Sequence, residues 1–428
     1  MPEKYTAVIG ATLIDGTGGS PLADSIVLVR GAKIAAVGVR NAIQIPPNAE
    51  RIDARGKYLL PGMIDLHTHM FVQMMVQGGV PREEPAYAAL YAANNLRQAL
   101  QAGVTTVRDM GGYDYLDLSV KRAITEGVIL GPRTFVSGKA LCMTGGHGSQ
   151  SEGFARIADG PQEVRFAIRE QVAMGADQIK IMTTHRTPTP EYTQGELDAA
   201  VDEAHRLGKR IACHAATIPG TCMAVRAGVD TLEHGTWLTD ETADLMAAQG
   251  TFWVPTCFII NAPKSTEARL KDPNLPYAMR LELEKRVEVQ WEESNCRALA
   301  QTFEMVLERG IAIGAGTDAL SSTHPFAALP EEVALLVNYG CTPMQAIESA
   351  TRVGAEALGR SDNLGTVQKG KYADLILVDR DPLQDITVLQ EVSWVMKGGR
   401  SVPFAPEYSR LAGKRPWNLD QVRPEDKT

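Results

Sequence analysis

The sequence predicts an α/β chain: a (β/α)8 barrel of the TIM type, with a small β-sandwich domain formed from the N- and C-terminal segments. Two observations lead there. From residue 100 onward one local pattern recurs: a helical stretch, a glycine, a short apolar strand, then a polar residue. Residues 1–58 and 364–405 lack that pattern and read as short β-rich runs broken by glycine.

The repeat appears as LRQALQAG-VTTVRD, VKRAITEG…PRTFVSG, REQVAMG-ADQIKIM, DEAHRLG-KRIACHA, CMAVRAG-VDTLEHG, LMAAQG-TFWVPT and EMVLERG-IAIGAGTD. Its glycines, at 103, 127, 175, 208, 228, 250 and 310, stand where a helix C-terminus takes a left-handed residue. Thr193 to Glu196 spells a capping box, and Pro161 follows Gly160 where a first helical turn accepts proline. Strands alternating with helices imply parallel pairing through right-handed crossovers. Seven such strands follow an earlier one in YLLPGMIDLHTH, which favours a closed barrel over residues 59–363 above a doubly wound open sheet.

The flanks are TAVIGATLIDGTG, DSIVLVRGAKIAAVG and ERIDARGKYLL before the barrel, LGTVQKGKYADLILVDRDP and SWVMKGGRSV after it. Each is too small to stand alone, so one composite sandwich is expected. Residues 406–428, rich in Pro, Arg and Asp, read as a surface strap or a loose end.

A net charge of −8 argues against a nucleic-acid binder, which needs a basic face. No apolar run approaches the ~20 residues that span a bilayer, so no membrane partner is expected. Six scattered cysteines without a C-x-x-C pair fit free thiols in a reducing compartment. The N-terminus has no apolar signal-type core, and a cytoplasmic protein is the expectation. A small-molecule substrate and a homo-oligomer complete it. The long segment between strands 7 and 8, with KDPNLPYA, reads as a lid or an oligomer contact.

Active sites of such barrels lie at the C-terminal strand ends. Strand 1 ends in His67-Thr-His69, strand 4 carries Lys180, strand 5 ends at His214, strand 6 at His234 and strand 8 at Asp318. Two residues apart on a strand, His67 and His69 share a face and can chelate one divalent ion at ~2.0–2.1 Å. An isolated H-x-H also occurs in ordinary polar packing. The position decides, because four of the eight histidines fall on one rim. Lys180, inside an apolar strand, reads either as one half of a salt bridge or as a neutral amine that captures CO2 as a carbamate able to bridge two cations. Asp318 reads as a proton carrier beside a metal, or as a helix cap.

PGMIDLHTH, TTVRDMGG, the strand-4 lysine, the HA and EHG strand ends and GTD together resemble the metal-dependent amidohydrolase superfamily. The similarity is to its imidazolonepropionase-like branch, which includes Xaa-Pro dipeptidase-type carboxypeptidases, and it extends through LGTVQKGKYADLILVD. The resemblance implies a binuclear centre, usually of Zn2+, that hydrolyses an amide-like C–N bond. His67 and His69 with Asp318 would hold the more buried ion. Lys180, as N6-carboxylysine, would bridge both, and His214 and His234 would hold the outer one. Imidazolonepropionases proper use one metal and lack the lysine, so Lys180 points to the two-metal relatives.

An oxyanion formed in such a reaction needs a donor. His147, in TGGHGSQ after strand 3, is the candidate, since related enzymes place a GGH histidine over the substrate carbonyl; an ordinary surface-loop histidine is the alternative. Substrate contacts are expected from His147, His185, Arg186, Met143 and His324. Dipeptide-cleaving relatives commonly carry a tyrosine two residues after the strand-5 histidine, where this chain has Ala216; Arg186 reads as its replacement or as a solvated loop residue. The methionines of MFVQMMVQGG and Met143 suit either a soft apolar pocket or barrel packing. The leading functional reading is hydrolysis of an N-acyl amino acid or dipeptide-type substrate. A neutral carbamate, thiocarbamate or urea is the enzymatic alternative, and a catalytically dead assembly protein the non-enzymatic one.

Overall fold

The structure, a computed structural model, describes residues 4–71, 85–151, 153–184, 189–261, 293–319 and 326–403. The chain opens with β1 (Tyr5–Leu13), β2 (Leu22–Arg30) and β3 (Lys33–Val39), an antiparallel meander. Next come β4 (Glu50–Asp53) and β5 (Tyr58–Pro61), both parallel to β1. Val8, Val27, Val29, Ile34 and Leu59 bury one face of these strands in a core separate from that of the barrel.

Gly62 is the hinge between the two parts. Its N–H donates to Asp374 O, whereas the next N–H, of Met63, donates to Gly103 O. The backbone changes partners at this one peptide. The run YLLPGMIDLHTH, expected as a single strand, therefore divides into β5 in the flanking sheet and β6 (Met63–Thr68) in the barrel.

β6, β7 (Val104–Asp109) and β8 (Arg133–Val136) pair in parallel. Two short extra strands follow, β9 (Ala140–Cys142) and β10 (Ala155–Ile157). The parallel series resumes with β11 (Ile179–Met182), β12 (Ile211–Ala215), β13 (Thr231–His234) and β14 (Phe252–Val254). Asp177 N–H to Val136 O, at 2.8 Å, joins the third and fourth barrel strands. The eighth strand is irregular, making one bridge between Ile313 and Trp253. It still closes the ring: Gly314 N–H reaches Trp253 O at 2.8 Å, Leu66 N–H reaches Ala315 O at 2.9 Å, and Asp318 N–H reaches His67 O at 2.8 Å. The barrel is closed, as expected.

Helices Pro85–Gln101, Leu116–Thr125, Pro161–Met174, Gln194–Arg206, Ile218–Ala227, Asp240–Gln249 and Glu293–Glu308 alternate with the strands. All seven glycines of the repeat have φ between 63° and 107°, the left-handed geometry that ends a helix before each strand. The capping box at Thr193 forms with both of its bonds. Beyond the barrel the chain returns to the first sheet, where β15 (Leu375–Val378) pairs antiparallel with β5, followed by β16 (Trp394–Lys397) and β17 (Arg400–Ser401). Both chain ends thus build one sheet, as the matched β-rich flanks predict. All six cysteines are free. Among the described residues no helix is long and apolar enough to cross a membrane. The C-terminal tail and the KDPNLPYA segment lie outside the described residues.

A Cβ at residue 62 would lie 2.2 Å from Thr105 Oγ1 and 2.3 Å from Thr105 Cγ2, both on a buried β-branched side chain that cannot turn away. Gly62→Ala should therefore destabilise the protein by about 1–3 kcal/mol, the usual cost of overpacking. A lower urea midpoint with unchanged slope reads this out; an unmoved midpoint would contradict it.

Candidate metal centre

The C-terminal strand ends bring the sequence-predicted side chains together. His67 lies one residue before the end of β6, and both it and His69 are buried, with ring centroids 5.3 Å apart. Asp318 Oδ1 lies 3.6 Å from His67 Nε2 and 3.5 Å from His69 Nε2. Those distances are long for hydrogen bonds. They suit ligands of a common ion, since two donors each ~2.0–2.1 Å from a tetrahedral metal stand roughly 3.3 Å apart. The three side chains offer ligand atoms within 4.8 Å of one another. This is a His/His/Asp cluster able to hold a divalent cation.

The remaining imidazoles continue the ring. His234 lies 5.1 Å from His67, and His214 lies 4.5 Å from His234, centroid to centroid. Burial lowers the pKa of all four: His69 falls to about 3, and His67, His214 and His234 lie well below the ordinary histidine value. Neutral imidazoles are the form that ligates metals. Lys180, from β11, is 1% exposed, and its Nζ has no hydrogen-bond partner among the described residues. Burial lowers its pKa, against the opposing pull of Glu233 and Asp318. His214 Nε2 and Asp318 Oδ1 are likewise buried without partners. Burial raises the Asp318 carboxyl to about 7, with Lys180 opposing the rise.

Backbone strain sits on the same rim. His234, Thr256 and Asp318 take φ of 66°, 51° and 48°, a region costly for residues with a Cβ and often found at functional sites. Thr256 Oγ1 bonds His234 Nδ1 at 2.8 Å, which leaves Nε2 to face the centre. The backbone just after Thr256 is held by Glu332, whose carboxyl group accepts the N–H groups of Cys257 and Phe258 at 3.0 and 2.6 Å.

Three supporting residues went unread in the sequence. Glu233 Oε2 bonds His67 Nδ1 at 2.8 Å, fixing its tautomer as carboxylates do for metal-binding histidines. Arg108, from β7, donates to Glu233 Oε1 at 2.6 Å, to Thr231 Oγ1 at 3.0 Å and to Leu66 O. Asp65 accepts the N–H of His67 and both the N–H and hydroxyl of Thr317, tying strand 1 to strand 8 beneath the centre. The signal was present: a charged residue inside an apolar strand needs a buried partner.

His147 sits above this ring. Its imidazole stacks on His214 with centroids 4.5 Å apart and planes 25° from parallel. Met143 is half-buried and packs against the main core, in keeping with the packing alternative. His185, Arg186, His324 and most of the methionine-rich loop lie outside the described residues.

The chain is similar to known proteins along most of its length. The model of the amidohydrolase family matches residues 58–402. Ochratoxinase of Aspergillus niger is 29% identical over 467 aligned residues, covering 98% of this chain and 90% of the relative. The crystal structure of a Xaa-Pro dipeptidase with bound methionine in its active site superposes with a TM-score of 0.80 at 32% identity, covering 94% of this chain and all of that one (100%). A prolidase complexed with N-methylphosphonate-L-proline gives 0.79 at 31% identity, with the same coverage.

Glu233→Ala would strand the Arg108 guanidinium and His67 Nδ1 in the barrel interior. The expected loss is about 3–5 kcal/mol of stability, the scale of breaking a buried ion pair from one side. Denaturation of the purified variant measures it, and a loss below about 1 kcal/mol would contradict the pairing described here.

Proposed function

The chain belongs to the amidohydrolase family, and on that footing we propose a binuclear hydrolase of N-acyl amino acids or dipeptide-type substrates. The observation that carries the two-metal reading is the set of buried, unpartnered atoms aimed into one ring: Lys180 Nζ, His214 Nε2 and Asp318 Oδ1. A buried polar atom without a partner costs about 1–3 kcal/mol, so three at one locus imply an occupant. In this reading His67, His69 and Asp318 hold one ion, His214 and His234 the other, and Lys180 joins them. Lys180 would do so as N6-carboxylysine, formed when its amine adds CO2 and releases a proton. Two divalent ions bound there, Zn2+ in this reading, supply Lewis acidity and acidify water.

The protein's own groups do the rest. Asp318 accepts a proton from the attacking water and delivers it to the departing nitrogen. His147, held over His214, donates a hydrogen bond to the carbonyl oxygen as negative charge develops there. Glu233 keeps His67 in one tautomer throughout.

The substrate class rests on the relatives' ligands: methionine in the dipeptidase and a proline phosphonate in the prolidase, each an amino acid with a free carboxylate. One observation favours the second reading, a neutral carbamate, thiocarbamate or urea. At Ala216 the side chain is a methyl group, and the residue's N–H is committed to Thr184 Oγ1 at 2.8 Å, so this position offers no side-chain donor to a carboxylate. An assembly protein without catalysis would be expected to have lost ligands, and the sequence keeps all six candidates.

Matched N-acyl amino acids with free and amidated C-termini separate the two enzymatic readings. A preference of about 100-fold or more for the free acid, worth ~2.7 kcal/mol, is expected. Equal turnover of both, with carbamates or ureas accepted, would establish the second reading. Lys180→Ala should lower kcat/KM by about 10³-fold or more, some 4 kcal/mol of transition-state stabilisation. Wild-type turnover in that variant would remove the bridging role.

A further inference from the structure

The loop carrying His147 is held by a carboxylate from the neighbouring segment after β11. Glu191 lies just beyond β11, and its own N–H donates to Thr183 O at 2.7 Å, which ties it to the fourth strand. Its Oε2 accepts the His147 backbone N–H at 2.8 Å. Gly146 makes room for that carboxylate: a Cβ there would lie 2.7 Å from Oε2. Gly146 thus has a structural reason beyond closeness to the centre.

Two further bonds of the loop are local turns. Gly146 N–H reaches Met143 O at 3.0 Å, and Ser149 N–H reaches Gly146 O at 3.0 Å. Thr144 binds Asp159, two residues after β10, through its N–H and its hydroxyl. Gly145, Gly146 and Gly148 make this backbone permissive, so local turns alone leave the imidazole many orientations. A charge-assisted bond from a second strand removes that freedom at His147 itself.

We propose that Glu191 is a positioning residue that fixes the His147 loop, keeping the imidazole stacked on His214 and turned toward the substrate carbonyl. This rests on the reading of His147 as the carbonyl donor given above. Glu191 acts by accepting a hydrogen bond, not by carrying charge to the substrate or moving a proton. A neutral acceptor of the same shape should therefore serve.

The test compares Glu191→Ala, Glu191→Gln and His147→Ala in metal-loaded protein, using the N-acyl amino acid substrate. Glu191→Ala should lower kcat by about 10- to 100-fold with KM within about threefold, since a donor used only in the transition state is misplaced. Its metal content should stay at the wild-type value, and hydrogen–deuterium exchange over residues 143–149 should quicken. Glu191→Gln should recover kcat to within about threefold of wild type and restore slow exchange. An impaired His147→Ala beside an unimpaired Glu191→Ala would overturn the positioning role and leave the His147 reading standing. Glu191→Gln as damaged as Glu191→Ala would overturn it in favour of a charge role. A His147→Ala variant with full activity would remove the donor reading, and this proposal with it.

Discussion

The seam between the first and eighth barrel strands is the constraint from which the site follows. Leu66 N–H to Ala315 O and Asp318 N–H to His67 O close the ring, and the second of these bonds joins the backbones of two residues whose side chains form the metal-binding cluster. Asp65 fastens the same seam from below through His67 and Thr317. Closure and ligand placement are one event. The eighth strand can be irregular because its end is held by these bonds and not by a long ladder.

Around that seam the protein buries an unusual quantity of polar material. Arg108 and Glu233 neutralise each other inside the barrel, and Glu233 passes its hydrogen-bonding influence to His67. Thr256 bonds His234 in the same way, and Glu332 holds the backbone of the next two residues. Each histidine so held has one nitrogen engaged by the protein and the other left for the centre. Lys180 has no such support, which distinguishes it from an ordinary buried cation. Lys180 Nζ, His214 Nε2 and Asp318 Oδ1, which the described residues leave without partners, belong to residues of that one ring.

Much of this was legible in the sequence because it is periodic. The helix–glycine–strand repeat needs only local chemistry, and the left-handed glycines at 103 through 310 follow from it. The rim histidines, Lys180 and Asp318 could be read from their places at strand ends. What the sequence hid was pairing at a distance. Arg108 meets Glu233 across 125 residues, and Glu233 meets His67 across 166. Neither distance leaves a local trace. The division of YLLPGMIDLHTH at Gly62 was hidden too, because the run is apolar on both sides of a glycine and only the partners of successive N–H groups reveal the change of sheet. Glu191 was missed for a related reason, since its partner is a backbone amide and not a side chain.

Metal stoichiometry tests the account most directly. Protein purified without chelator, saturated with zinc in bicarbonate buffer and freed of excess ion, should retain two divalent ions per chain by elemental analysis. Retention of none, or of a single ion at saturation, would contradict a centre in which six side chains share two cations.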